Sequence, residues 1–174
     1  MSALMAKAEA VHSAAGFGER IAENQRRVFQ IALSVLGNPA DAEDVAQEAF
    51  LRAYQKFDSL REAEKFRAWV NRIAFRLALN RKRGVRRRLA RDAAWQNVET
   101  ATSVDGAKEA EKQVMLERLR REIDGLPEKL RSVLLLSLVE EMDATDVGAV
   151  LGIPSGTVRS RLHAARKLLL EGMQ

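Results

Sequence analysis

The stretch Asp143-Ala-Thr-Asp-Val-Gly-Ala-Val-Leu-Gly-Ile-Pro-Ser-Gly-Thr-Val-Arg-Ser-Arg-Leu-His163 decides how this chain is read. Asp143 and Asp146 have the spacing of a capping box, with aspartate in place of the usual Glu or Gln, so a helix is predicted to start there. Met142, Val147, Val150 and Leu151 then share a core-facing side. Gly152 is placed to end this helix, Ile153 to plug the turn, and Ser155 to cap the next helix at its N-terminus. In that second helix Val158, Leu162, Ala165 and Leu169 form a buried seam. Arg159, His163 and Arg166 recur at i, i+4 and i+7 on the outer face, with Ser160, Arg161 and Lys167 beside them. A short helix, a tight break and a basic helix are the build of a helix-turn-helix, which lays its second helix in a DNA major groove. The outer residues are the candidates for base edges and phosphates. Small helical domains can imitate the pattern, so the rest of the chain has to agree with it.

Working outward, the composition fits a helix-rich protein with a polyanionic partner. The 174 residues carry a net charge of +5, with 47% hydrophobic and 30% charged side chains. Such a charge speaks to association and not to fold. There is no cysteine, which excludes disulfides and thiolate metal sites. The two histidines, His12 and His163, lie far apart in sequence, so no cofactor or metal is expected. No apolar run approaches the roughly 20 residues of a membrane span, and the start lacks the basic flank and long apolar core of a signal peptide. These features predict a cytoplasmic protein with no membrane insertion.

Glycine and proline are sparse and no segment alternates like a strand, so the predicted fold is all-α. A first helix is expected over about Glu19 to Leu36 and stopped by Gly37-Asn38-Pro39. A second covers about Ala40 to Phe57. After a loop, a third runs from about Ala63 to Arg83. Arg81 to Arg91 then holds seven basic residues in eleven. A small, mildly acidic stretch follows and reads as a pliant linker, and helical pattern resumes near Ala110. Pro127 in Leu126-Pro127-Glu128 suits a first helical position. The chain divides into a short extension (1–18), a first helical unit (19–91), a linker (92–111) and a second helical unit (112–174).

On a helical wheel the second helix gathers Ala42, Ala46, Ala49, Ala53 and Phe57 on one side and Asp41, Asp44, Glu48 and Gln55 almost opposite. The acidic face could dock a basic partner. A plain amphipathic helix with a charged exterior gives the same pattern, and Asp41 near the N-terminus is favoured by the helix dipole in either case. In the third helix Phe66, Trp69, Val70, Ile73 and Leu77 make a core stripe. Arg72, Arg76 and Arg83 share an adjoining face, where guanidinium groups supply salt-dependent phosphate contacts. Phe75 and Leu79 lie opposite the stripe, so this helix is predicted to pack on two sides.

Together these segments resemble the extracytoplasmic function (ECF, group 4) sigma factors of bacterial RNA polymerase. Gly37-Asn-Pro-Ala-Asp-Ala-Glu-Asp-Val-Ala-Gln-Glu-Ala-Phe-Leu-Arg-Ala-Tyr54 looks like region 2.2 of that family, and Phe66-Arg-Ala-Trp-Val-Asn-Arg-Ile-Ala74 like its Phe-x-x-Trp-Leu-x-x-Ile-Ala signature. Leu126-Pro-Glu and Leu151-Gly-Ile-Pro-Ser-Gly-Thr-Val-Arg-Ser-Arg-Leu162 match the start and the recognition motif of region 4. The resemblance implies that Asp41, Asp44, Gln47 and Glu48 grip the β′ clamp of core polymerase. It gives the loop with Asp58, Ser59, Arg61 and Lys65 the capture of a flipped −10 base, a step that needs a pocket and compensating contacts. Arg72, Arg76, Asn80, Arg81 and Arg83 would face the −10 DNA. Ser155, Thr157, Arg159, Ser160, Arg161, His163, Arg166 and Lys167 would meet the −35 element. The implied partners are core polymerase (β′ clamp and β flap), promoter DNA and an anti-sigma factor, with a monomer expected when these are absent.

Two departures stand out. Glu62-Ala-Glu-Lys65 sits where many relatives carry small polar residues, and Ala164 where many place an arginine. The first bears on −10 melting and the second on −35 specificity. Two other functions fit parts of the sequence. A degenerate decoy that sequesters an anti-sigma factor would not need the basic recognition face. A stand-alone operator-binding regulator would leave the acidic helix and the strand-capturing loop unexplained. No Gly-rich phosphate loop, catalytic cysteine or ligand cluster supports an enzyme.

Overall fold

The computed structural model describes residues 14–57, 60, 62–93 and 107–173. Asp58, Ser59 and Arg61, the central part of the expected linker (94–106) and residues 1–13 of the expected extension lie outside the described residues. Every regular element that is described is helical: α1 (Ala14–Leu36), α2 (Pro39–Gln55), a 3-10 turn (Ala63–Lys65), α3 (Phe66–Ala93), α4 (Ala107–Gly125), α5 (Glu128–Ser137), α6 (Ala144–Leu151) and α7 (Ser155–Met173).

Local chemistry explains the breaks. Gly37 takes a φ of +70°, a conformation open to a residue without a Cβ, and its N–H donates to the Leu33 carbonyl at 2.8 Å. Asn38 then caps α2, its side chain accepting the Asp41 N–H at 3.1 Å, and Pro39 occupies the first turn, where its missing N–H costs nothing. α1, α2 and α3 pack through Val28, Ile31 and Val35 against Ala42, Val45, Ala49 and Ala53, and against Phe66, Val70 and Ala74. The alanines of α2 let its neighbours approach closely.

α3 runs ten residues past the expected end at Arg83. The apolar stripe does run out there, but arginine is a good helix former. The Arg87 and Arg91 guanidiniums also donate back to the carbonyls of Arg83 and Arg87, one turn earlier. Pro127 stands at the N-cap of α5 and not inside its first turn, with its carbonyl accepting from Leu130 and Arg131.

The second unit does not stand apart from the first. α5 buries Val133 and Leu136 in the same core as Val28 and Ile31, together with Val139, Val147, Val150 and Val158. On its other side Leu134 meets Ala165 of α7 and Leu126 in a smaller cluster. Phe75, expected on a second packing side of α3, is buried, and with Leu79 it lines a cleft against Val150 and Leu151 of α6. α5 and α6 therefore form the layer between the first unit and the recognition helix.

Candidate nucleic-acid interface and acidic face

In the helix-turn-helix, Asp143 accepts from the backbone N–H groups of Thr145 and Asp146 at 2.7 and 2.8 Å. These two bonds hold its carboxyl below the ordinary aspartate range. The reciprocal half of the expected box is absent: Asp146 pairs with Arg67 at 2.9 Å and Arg27 at 3.3 Å. Gly152 ends α6 with φ +71°. Ser155, expected as the N-cap of α7, is its first helical residue, and the Pro154 carbonyl accepts the first bond, from Val158, at 3.1 Å.

Sequence reasoning passed over Gly148. A Cβ there would meet the Ile153 carbonyl at 2.6 Å, so the turn folds onto the backbone of α6 in a way only glycine permits. Val147, Val150, Val158 and Ala165 are buried as expected.

The outer face of α7 is open. Arg159, Ser160, His163, Arg166 and Lys167 are exposed, and Ser155, Thr157 and Arg161 are half-buried. The Ser160 hydroxyl donates to the Thr157 carbonyl at 3.1 Å, and Lys167 lies 4.0 Å from Glu171. Arg159, His163 and Arg166 form no ion pair with another described residue. They project as one basic row, one turn apart, in the arrangement needed to reach into a groove.

The residues expected to face the −10 DNA are differently placed. Arg72 is half-buried and donates to the carbonyls of Ala149 at 2.5 Å and Val150 at 3.1 Å. Arg83 pairs with Glu128 of α5. Arg81 bridges to Asp41 at 2.5 Å and Asp44 at 3.0 Å, and the two carboxylates, Asp44 foremost, raise its pKa. Arg76 and Asn80 are exposed, and Asn80 joins Arg83, Arg86 and Arg87 around a basic groove. Arg86 and Arg87 belong to the basic run but were not singled out as contacts.

Lys65 pairs with Glu62 at 2.7 Å, so one of the two acids that depart from the family pattern is locally neutralised. Phe57 and Phe66 meet edge to face with centroids 5.8 Å apart and pin both ends of the loop between them.

On α2, Gln47 is exposed and Glu48 is half-buried, held by Arg52 at 2.6 Å. Leu51 and Tyr54 continue the same face at helical spacing and are more than half exposed (57% and 56%). Sequence reasoning missed them, although a wheel that tracked apolar residues on the acidic side would have found them. Acid at one end and exposed apolar surface at the other suits a protein partner better than solvent alone.

The fold and these faces define a helical protein of the helix-turn-helix class, with an open basic row on α7 and an acidic, partly apolar face on α2. Residues 20–88 match the family described as Sigma-70 region 2, and residues 116–169 that described as Sigma-70, region 4. The chain is 36% identical over 151 residues to the ECF RNA polymerase sigma factor SigW of Bacillus subtilis, covering 82% of this chain and 81% of that one. It is 29% identical over 177 residues to the ECF RNA polymerase sigma-E factor of Haemophilus influenzae, covering 90% and 93%. The chain belongs to the ECF sigma factors of the sigma-70 family, the promoter-directing class.

Among solved structures, CnrH in complex with the cytosolic domain of CnrY shares the fold with a TM-score of 0.62 at 24% identity, over 97% of this chain and 94% of that one. The sigma factor RpoE in complex with the anti-sigma factor NepR from Bartonella quintana gives 0.60 at 22%, over 90% and 96%. No helix of the described residues is long and apolar enough to cross a membrane.

Proposed function

We propose that this chain binds bacterial core RNA polymerase through α2, using Asp41, Asp44, Gln47 and Glu48, and directs it to promoters read at two elements. Residues 19–91 are the half that meets the β′ clamp and the −10 element, and 112–174 the half that meets the −35 element and the β flap. Arg72, Arg76, Asn80, Arg81 and Arg83 face the −10 DNA, and the loop with Asp58, Ser59, Arg61 and Lys65 holds a flipped base. Binding energy, not bond chemistry, traps the melted strand, so the chain is no enzyme. The observation that carries the proposal is the open basic row Arg159, His163 and Arg166 on α7 of a family member. A decoy for an anti-sigma factor would have no use for that row. An anti-sigma factor is a proposed partner in its own right, since one structural neighbour is the sigma factor RpoE co-crystallised with the anti-sigma factor NepR.

The test is capture by core polymerase of the wild type and of the double variant Gln47→Lys, Glu48→Lys. Neither side chain bonds across to another helix among the described residues, so the fold should survive, as checked by helical circular dichroism. Loss of capture with retained helicity is expected. Undiminished capture removes α2 as the docking face.

A further inference from the structure

We propose that Phe17 and Arg20, near the start of α1, are positioning residues for −10 recognition, holding together Phe57 and Phe66 at the two ends of the strand-capturing loop. The inference rests on the assignment of that loop to a flipped base, and its test separates the two. Sequence reasoning counted residues 1–18 as an extension and began the first helix near Glu19. α1 instead begins at Ala14, and Phe17 is only 5% exposed.

The chain enters the loop at Phe57, two residues after α2, and leaves it at Phe66, the first residue of α3. The Phe17 ring meets Phe57 with centroids 4.9 Å apart and Phe66 at 5.9 Å, and those two meet each other at 5.8 Å. All three contacts are edge to face, the arrangement that aromatic quadrupoles favour. A single pair of rings can pivot about its contact, whereas a third ring fixes their mutual orientation. Phe57 and Phe66 are buried, so the triangle lies inside the fold. Tyr54 joins it at Phe17, 5.2 Å away, and Trp69 joins it at Phe66, 6.0 Å away.

Arg20 secures the same corner from one turn further along α1. Its guanidinium lies over the Phe66 ring, 5.4 Å from the centroid, in a cation–π contact. Positions three apart share a helix face, so α1 presents a ring and a cation together to the residue where α3 starts. Near the loop ends, the Leu60 N–H donates to the Phe57 carbonyl at 3.0 Å, and the Lys65 N–H to the Glu62 carbonyl at 3.1 Å. These bonds act locally, within three residues. The aromatic triangle joins one end of the loop to the other.

That link bears on function through preorganisation. Unstacking a base costs free energy that the capturing contacts must return. A loop with its ends already fixed returns it without first being ordered. Loosening Phe17 or Arg20 therefore weakens capture of the base, while the basic row on α7 still binds duplex DNA.

The full-length chain is assembled with bacterial core RNA polymerase as wild type, Phe17→Leu, Arg20→Gln and Arg20→Lys. Leucine keeps an apolar side chain without a ring, and lysine keeps a cation over Phe66 where glutamine does not. Two probes are taken from a promoter mapped by its transcripts: a duplex with the −35 element, and a single strand with the −10 element. The strand is also made with an abasic site at each −10 position in turn. One abasic position is expected to cost the wild type at least tenfold in affinity. Phe17→Leu and Arg20→Gln should bind the intact strand at least fivefold more weakly, lose most of that abasic penalty, and hold the duplex as the wild type does. Arg20→Lys should restore strand binding. Arg20 is half-buried, so its two variants decide the matter if Phe17→Leu fails to fold. Wild-type strand affinity in either Phe17→Leu or Arg20→Gln, or an equal fall on strand and duplex, overturns the positioning role. If no abasic position weakens the wild type, the base-capture reading falls and takes the inference with it.

Discussion

Asp143 and Asp146 had one joint role in the sequence and have two separate roles in the structure. Asp143 alone caps α6, and the backbone donors on its carboxylate hold its pKa down. A carboxyl with a depressed folded pKa stabilises the fold above its unfolded value, and loses that contribution as pH falls through the folded one. The thermal midpoint of the wild type should therefore fall more steeply than that of Asp143→Asn between neutral pH and about pH 2.5, since Asn keeps the acceptor without the charge. Parallel melting curves would show that the cap contributes no charge-dependent stability. Arg159 is solvated and unpaired among the described residues, so Arg159→Ala should leave the fold untouched. If it reads a base, the substitution changes preference among −35 sequences by about 1–3 kcal/mol. A uniform loss on all promoters, measured by competition binding, would instead make it a phosphate contact. The basic row was legible because helical spacing alone orders Arg159, His163 and Arg166. The partners of Asp146 were not, because Arg27 and Arg67 lie on helices far away in sequence.

At the scale of the element, the breaks were the most readable part of the chain. Gly37, Asn38 and Pro39 announce a stop and a restart, and Gly152 announces the turn, because each acts through its own backbone or that of near neighbours. Ends set by weaker local signals moved. α3 continues to Ala93 because the arginine run holds no proline and its one glycine, Gly84, is tolerated inside a helix, and Ser155 and Pro127 each shift by one position. Gly148 could not be singled out, since its constraint is a carbonyl five residues on that approaches only once the turn has closed. A Cβ at 2.6 Å from backbone oxygen has no room to be relieved by a flexible side chain. Gly148→Ala is accordingly expected to destabilise the second unit despite the higher helix propensity of alanine, by more than the ~1 kcal/mol that propensity would return. Chemical denaturation measures it, and a variant as stable as the wild type would mean that the α6–α7 turn shifts freely.

For the whole molecule, sequence reasoning divided the chain into two units with a linker, and the two family matches fall in the same two halves. The packing of one half on the other was hinted at only by Phe75 and Leu79, apolar residues on the wrong side of an otherwise complete stripe. Both now line the cleft against α6. Because Val133, Leu136 and Val147 share a core with Val28 and Ile31, the free chain should unfold in one calorimetric transition. The double variant Arg72→Ala, Asp146→Ala should split it in two, and two transitions in the wild type would mean that the halves are held only loosely. The central claim is promoter-directed initiation, and one measurement meets it head on. The purified chain is added to bacterial core RNA polymerase with fragmented genomic DNA, and the 5′ ends of the transcripts are sequenced. Discrete start sites sharing two upstream elements are predicted. Core binding with no defined starts, or starts scattered as they are with core polymerase alone, would contradict the claim.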